Sequence, residues 1–229
     1  MALDREEASR EYDTRARRYE RANQQITAIL NALLDDLSAR YRVREGLYVT
    51  GKPKCFSSFY RKATDKYACE SLDEAFERVR DLARVRVVCP TLDDCYSLLE
   101  MLLKQQAVFV DERTIEDYIA DPSPTGYRAI HLEAAVEVTV SEDKVSVPVE
   151  VQIRSTLQEA WGHYTHSDFY HAEAAPEHIA LLMKALSDLL HWSDRHASIL
   201  VKEVARQRDE QERSGQQGGV AADKGQHGE

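Results

Sequence analysis

The chain has 229 residues, 43% hydrophobic and 31% charged, which suits one domain with a sizeable core and helical additions. Its net charge of −10 argues against a broad electrostatic grip on nucleic acid. No apolar run approaches the ~20 residues that span a bilayer, so no membrane partner is expected.

Residues 4 to 41 lack Gly and Pro, and Ile26, Ile29, Leu30, Leu33, Leu34 and Leu37 recur at helical spacing, which predicts one long helix or two. Residues 46 to 50 (GLYVT) read as a short strand, closed by the turn residues Gly51 and Pro53. A helix is expected over 56 to 66 and a short helix or turn over 72 to 80. Val85, Val87 and Val88 mark a buried strand ending at Pro90. Thr91 caps a helix over 92 to 106, with Asp93 and Asp94 in its first turn. Val108 and Val110 suggest an edge strand, and Pro122 and Pro124 an extended loop. Residues 129 to 140 and 145 to 154 alternate as two strands of a hairpin turning at 141 to 144. Helices follow over about 156 to 171 and 177 to 210, and the tail from about residue 212 lacks core residues and reads as disordered. The acidic N-terminus without a signal-peptide core predicts the cytoplasm, and Cys55, Cys69, Cys89 and Cys95, with no CxxC spacing, read as reduced thiols.

Several polar groups stand out against this frame. Lys52, Lys54, Arg61, Lys62 and Lys66 form a basic island in an acidic chain, suited to a nucleoside triphosphate or to a solvated turn. Val147, Val149, Val151 and Ile153 alternate with Pro148, Glu150, Gln152 and Arg154, so Glu150, Gln152 and Arg154 share one strand face. That face is either a phosphate and metal wall or an ordinary solvated one. Asp81 stands immediately before a strand in the segment 81–88, where it either caps a helix or turn or shares a divalent ion with Glu150; Mg2+ typically takes one or two protein carboxylates. Tyr127, after Gly126, can stack on a base or simply pack, and His131 can contact phosphate or hydroxyl. His163, His166, Asp168 and His171 lack the HExxH pattern, which favours a polar helix face over a zinc site.

Four segments together resemble the synthetase domain of the RelA/SpoT alarmone synthetases, above all the small single-domain members. Gly51-Lys52-Pro53-Lys54 with Ser58 and Arg61-Lys62 is similar to GRxK…S…RK. Asp81-Leu82-Ala83-Arg84-Val85-Arg86 is similar to D-[LI]-x-[GA]-[IV]-R. Gly126-Tyr127-Arg128-Ala129-Ile130-His131 is similar to GY[RQK]SxH, and Glu150-Val151-Gln152-Ile153-Arg154-Ser155 to the EIQIRT strand. The resemblance spans about residues 46 to 171. It implies an α/β (α+β) nucleotidyltransferase-like synthetase fold, a mixed sheet of about five strands flanked by helices. Residues 1–45 would form an N-terminal helical region, 46–171 the core, 172–211 a C-terminal helix region and 212–229 a disordered tail.

The resemblance also implies an activity: transfer of the β,γ-pyrophosphate of ATP to the 3′-hydroxyl of GTP or GDP, giving the alarmones pppGpp or ppGpp and AMP. Lys52, Lys54, Ser58, Arg61 and Lys62 would bind ATP, and Asp81 and Glu150 would hold Mg2+ and serve catalysis. Tyr127, Arg128, His131, Gln152, Arg154 and His166 would bind the acceptor. Homo-oligomers, tetramers among them, would form through the terminal helices. Departures point to a modified site: Lys52 replaces Arg, Arg84 replaces a small residue and either enters the site or points away, and Thr165 and His171 replace the Glu and Lys of EHxxxYK. These departures keep two alternatives open. One is a toxin-type member, with an antitoxin partner, that makes adenine alarmones or modifies the 3′ end of tRNA. The other is a nucleotide-binding regulator without catalysis.

Overall fold

The computed structural model describes residues 3–41, 47–165 and 176–222. The described residues form six α-helices and six strands. Helix α1 (Arg5–Tyr41) is a single unbroken helix, followed by β1 (Tyr48–Gly51), α2 (Phe56–Arg61) and α3 (Leu72–Arg78). Next come β2 (Ala83–Cys89), α4 (Leu92–Leu103), β3 (Phe109–Val110) and β4 (Glu116–Asp117). The long hairpin strands β5 (Ile130–Val140) and β6 (Asp143–Ser155) precede α5 (Thr156–Thr165) and α6 (Glu177–Ala222).

The strands form one mixed sheet in the order β1-β2-β6-β5-β3, with the two-residue β4 pairing β5 farther along the same edge as β3. The central pair β2 and β6 is parallel, and the other pairs are antiparallel. Pro148 sits one residue before the β2 pairing begins at Val149, where β6 has a neighbour on one side only, so its missing N–H breaks no ladder between them.

One sheet face is apolar. Val85, Val87, Leu132, Val149, Val151 and Ile153 are all buried there, in the same core as Ile26, Leu30 and Leu37 of α1 and Leu98 and Leu102 of α4. Thr91 caps α4 by accepting from the Asp94 amide at 3.3 Å, as its sequence position predicts. The opposite sheet face carries the polar members of the same alternation, and α2 and α5 flank it.

Four details depart from the sequence expectations. The helix expected over 56 to 66 ends as α at Arg61 and continues as a single π turn, Lys62–Lys66. The loop around Pro122 and Pro124 is folded, not extended: the Gly126 amide donates to Ser123 O at 2.8 Å, leaving Pro124 in the second position of a β-turn. Helix α6 continues to Ala222, through the first part of the tail expected to be disordered; adding a residue to an existing helix is far easier than starting one. The hairpin turn is tighter than expected, since Val140 already pairs Asp143 and Ser141 takes φ +59°. No helix among the described residues is long and apolar enough to cross a membrane.

Phe59 anchors the basic segment to the core. It is fully buried, stacks on Phe76 with centroids 4.7 Å apart and meets Tyr12 at 5.4 Å. Phe59→Ala should therefore cost about 3–5 kcal/mol, read as a lower urea midpoint with unchanged slope.

Candidate active site

The polar sheet face, the α2 segment and α5 enclose a cavity of about 650 Å³. Its floor is a grid set by strand register: Arg86 of β2 lies beside Gln152 of β6, which lies beside His131 of β5. Arg84 lies in the same way beside Glu150, and Glu150 beside Glu133. Lys54, Ser58, Arg61 and Lys62 form one wall. Tyr127, Trp161, Gly162 and Thr165 form another, and Arg154 reaches in between them. A neighbouring cavity of about 350 Å³ shares Lys62 and contains Asp81 and Glu150.

Glycine is required at two joints of this frame. A Cβ on Gly51 would stand 2.6 Å from Val85 Cγ1, so only glycine lets the basic loop leave β1 so close to β2. Gly126 has φ +90°, and a Cβ there would meet Ser187 Cβ at 2.9 Å. The loop is then tied down: the Lys54 amide donates to Leu82 O at 2.9 Å, and the Tyr12 hydroxyl donates to Lys54 O.

Four of the cavity's cations pair with two carboxylates. Lys54 Nζ lies 2.7 Å from Asp81 Oδ2 and Lys62 Nζ 3.0 Å from Oδ1. Burial works against the Asp81 charge, but the two ammonium groups win and hold its carboxyl below the usual range. Arg86 and Arg154 both close on Glu159 of α5, at 2.9 and 3.1 Å. Glu159 is only 5% exposed and also accepts from the Tyr48 hydroxyl at 3.2 Å. Burial again opposes its charge, and Arg86 and Arg154 hold its carboxyl below the ordinary range. Arg61 and Arg84, by contrast, make no ion pair or side-chain hydrogen bond with another described residue.

A relay links Glu159 to Glu150. Arg154 Nη2 donates to the Tyr127 hydroxyl oxygen at 2.6 Å, and that hydroxyl donates to His131 Nε2 at 2.5 Å. Burial, then the charges of Arg154 and Arg86, push the His131 pKa down to about 4, so the imidazole is neutral at physiological pH. Its proton then sits on Nδ1, which faces Glu150 Oε1 at 3.7 Å. Burial and the nearby charge of Asp81 raise the Glu150 pKa, only partly offset by Gln152, Lys62 and Arg84.

His131 carries a stability signature. Its folded-state pKa lies below the 6.5 of the free side chain, so between pH 4 and 6.5 the unfolded chain binds more protons. This contribution, about 3 kcal/mol, is complete above pH 6.5 and is lost as pH falls toward 4. Denaturation midpoints should show this slope, and His131→Asn should remove it.

The two carboxylates fit a hard divalent cation. Asp81 precedes β2, Glu150 lies on the parallel neighbour β6, and their mutual repulsion is the kind a bound cation relieves. No cluster of three or more His, Cys, Asp or Glu that could hold a metal occurs among the described residues. His163 is exposed, 3.6 Å from Glu159, while His166, Asp168 and His171 lie outside the described residues.

The structure thus brings Lys54, Ser58, Arg61, Lys62, Tyr127, His131, Gln152 and Arg154 around one cavity and sets Asp81 and Glu150 beside it. Lys52 instead lines an adjoining cleft of about 470 Å³ that shares Arg84, Arg86 and Gln152 with the main cavity. Tyr127 is 7% exposed, with the Arg154 guanidinium 4.8 Å from its ring centroid, so stacking on a base requires Arg154 to shift. Arg128 corrects the sequence reading: it faces away from the cavity, donating to Ile119 O at 2.8 Å and pairing Asp188 of α6 at 2.9 Å. The adjacent residue, Tyr127, fills the cavity side, and Arg128 fastens its loop to α6. Sequence reasoning missed Glu159, whose polar neighbour Gln158 makes it look like part of a solvated helix face.

Residues 51–175 match the family described as the region found in RelA / SpoT proteins. The GTP pyrophosphokinase YjbM of Bacillus subtilis is 31% identical over 159 residues, covering 69% of this chain and 72% of that protein. YwaC of the same organism, also a GTP pyrophosphokinase, is 27% identical over 159 residues, covering 69% and 74%. The crystal structure of small alarmone synthetase 1 from Bacillus subtilis bound to its product pppGpp superposes with a TM-score of 0.72 at 26% identity, covering 85% of this chain and 98% of that one.

Proposed function

The chain belongs to the RelA/SpoT family, and from that premise we propose that it is an ATP-dependent pyrophosphokinase that makes (p)ppGpp. The β,γ-pyrophosphate of ATP passes to the 3′-hydroxyl of GTP or GDP. The acceptor oxygen attacks the β-phosphorus, the bond from that phosphorus to the α,β-bridging oxygen breaks, and AMP leaves. The observation that carries this reading is the pair Asp81 and Glu150, set beside a cavity walled by cations. A carboxylate pair without cations suits a metal alone; cations without the pair suit binding alone.

Each residue has a defined task in this reading. Lys54, Ser58, Arg61 and Lys62 hold the ATP phosphates, and Lys52 assists from the adjoining cleft. Ionised Glu150 takes the proton of the attacking hydroxyl. Mg2+, held by Asp81 and Glu150, neutralises phosphate charge when bound. Tyr127, His131, Gln152 and Arg154 orient the acceptor. Residues 46–171 carry the chemistry in the cytoplasm. Homo-oligomers assemble through α6, whose exposed Leu182, Leu189, Trp192 and Ile199 form an apolar stripe.

A panel of GTP, GDP, GMP, ATP, ADP and deacylated tRNA as acceptors for labelled ATP tests the assignment. Labelled pppGpp or ppGpp is expected from the first two. Label transferred only to an adenine nucleotide or to tRNA would replace this acceptor with that of a toxin-type member.

A further inference from the structure

Another cavity, of about 660 Å³, lies on the far side of the segment that carries Tyr127 and Arg128. The N-terminal end of α4, residues 119–122 and α6 line it, and Arg128, which faces away from the active site, forms part of its wall. One stripe of α6 supplies most of its polar groups. His191, Arg195, Ser198 and Lys202 follow one another at intervals of four, three and four residues, the spacing of a single helix face. Three of the four have hydrogen-bonding capacity to spare. Arg195 makes no ion pair or side-chain hydrogen bond with another described residue, and its guanidinium rests 5.9 Å from the Trp192 ring centroid. The Ser198 hydroxyl and His191 Nδ1 are enclosed by protein and have no hydrogen-bond partner among the described residues, and Ser198 is only 6% exposed. A buried hydroxyl left unpaired is costly, so its place on this wall calls for a partner.

The rest of the lining is largely apolar. Leu92, Ile119 and Pro122 belong to it, with Tyr96, whose hydroxyl is already given to Asp117 at 3.0 Å. Asp93 is the only carboxylate among the lining residues described, and Lys202 holds it at 2.8 Å; Arg128 is held by Asp188 at 2.9 Å. Burial, then the charges of Arg128 and Arg195, lower the His191 pKa, so that ring adds no charge. The uncompensated charge of the cavity is therefore the cation of Arg195, which suits an anionic group carried on an apolar body. Guanidinium, hydroxyl, imidazole and the Lys202 ammonium offer more hydrogen bonds than two carboxylate oxygens use, and the three terminal oxygens of a phosphate match them better. We propose that this cavity binds a small phosphate monoester with a flat apolar ring, its phosphate on Arg195 and Ser198 of α6 and its ring against Leu92, Ile119 and Pro122. The site stands behind the acceptor wall. Arg128 lines it while Tyr127 lines the active site, and the Tyr118 ring, just before residues 119–122, meets the rings of Tyr127 and His131 edge-on at 5.8 and 5.4 Å.

Phenyl phosphate, which carries such a phosphate and ring but no ribose or polyphosphate, tests this by equilibrium titration without turnover. It is compared with inorganic phosphate and phenol on the unaltered protein, then titrated into Arg195→Gln, Ser198→Ala and Arg61→Ala, the last removing a cation of the active-site wall. Saturable binding of phenyl phosphate is expected, with inorganic phosphate and phenol each about tenfold weaker. Arg195→Gln should weaken phenyl phosphate about tenfold and Ser198→Ala about threefold, while Arg61→Ala should leave it unchanged. Ser198→Ala removes an unpaired hydroxyl and Arg195 is exposed, so neither variant should melt below the parent, which separates a lost contact from a lost fold. Absence of phenyl phosphate binding overturns the proposal. Undiminished affinity in either α6 variant does the same. So does a loss in Arg61→Ala, which places the ligand in the active site, or equal affinity for inorganic phosphate, which means that the ring is not read.

Discussion

Glu150→Gln should lower product formation by about 10²–10⁴-fold, the range associated with losing a positioned general base. The substitution keeps the shape of the side chain and removes both its proton affinity and its charge toward a metal. Stability should move the other way. The Glu150 pKa is raised by burial and by Asp81, so its ionised form is costly in the folded protein. That cost is absent at low pH, where the group is protonated, and is complete above the raised pKa. The Gln variant should therefore match the parent below pH 4.5, the ordinary glutamate value, and be more stable than it near pH 8. Activity in the parent should rise with pH as Glu150 ionises, and the variant should lack that limb. Stopped initial rates across pH, with parallel thermal melts, separate lost chemistry from lost fold. Undiminished turnover would mean that neither the proton nor the metal depends on Glu150.

The second large effect is expected at a residue that touches no substrate in this account. Glu159→Ala removes the shared partner of Arg86 and Arg154 and leaves two guanidinium groups without their partner, one exposed by only 5%. Breaking a buried pair in this way typically costs about 3–5 kcal/mol. The consequence travels along named contacts: Arg154 holds the Tyr127 hydroxyl, that hydroxyl holds His131 Nε2, and His131 turns Nδ1 toward Glu150. With Arg154 released, His131 loses the hydrogen-bond order that fixes its tautomer. The acceptor KM should rise more than the ATP KM, because the relay borders the acceptor wall while Lys54 and Lys62 remain on Asp81. Glu159→Asp should restore part of the effect. Equal KM changes for both substrates would indicate general loosening instead.

Much of this architecture was legible in the sequence because it follows from periodicity. The alternation of Val147, Val149, Val151 and Ile153 set Glu150 and Gln152 on one face, and β6 obeys it through Ile153, after which Arg154 and Ser155 are both buried. Spaced Leu and Ile residues marked a long N-terminal helix with an apolar stripe, and the structure packs that stripe into the core on the apolar sheet face. The directions of loop side chains were not legible. Tyr127 and Arg128 are adjacent in a segment set by Gly126 at φ +90° and by docking against α6, which lies about sixty residues away in sequence. No local pattern encodes which of the two faces the cavity. Glu159 escaped for a related reason. An acid on a helix looks solvated until strand register brings two arginines to it. The two-residue β4 has too few residues for any alternation to register, and the single π turn after α2 leaves no composition signal. The small residues expected at position 84 gave no guide to where an arginine would point there, since its direction depends on the parallel pairing of β2 with β6.

One cavity is expected to carry pyrophosphate from ATP to a guanine nucleotide. ATP labelled at the γ-phosphate, mixed with GTP, Mg2+ and the protein, tests it most directly. The label should appear in a guanine nucleotide bearing a 3′-pyrophosphate, with one AMP formed for each labelled product. Label released as inorganic phosphate with ADP, or AMP formed without a labelled guanine product, would contradict the account.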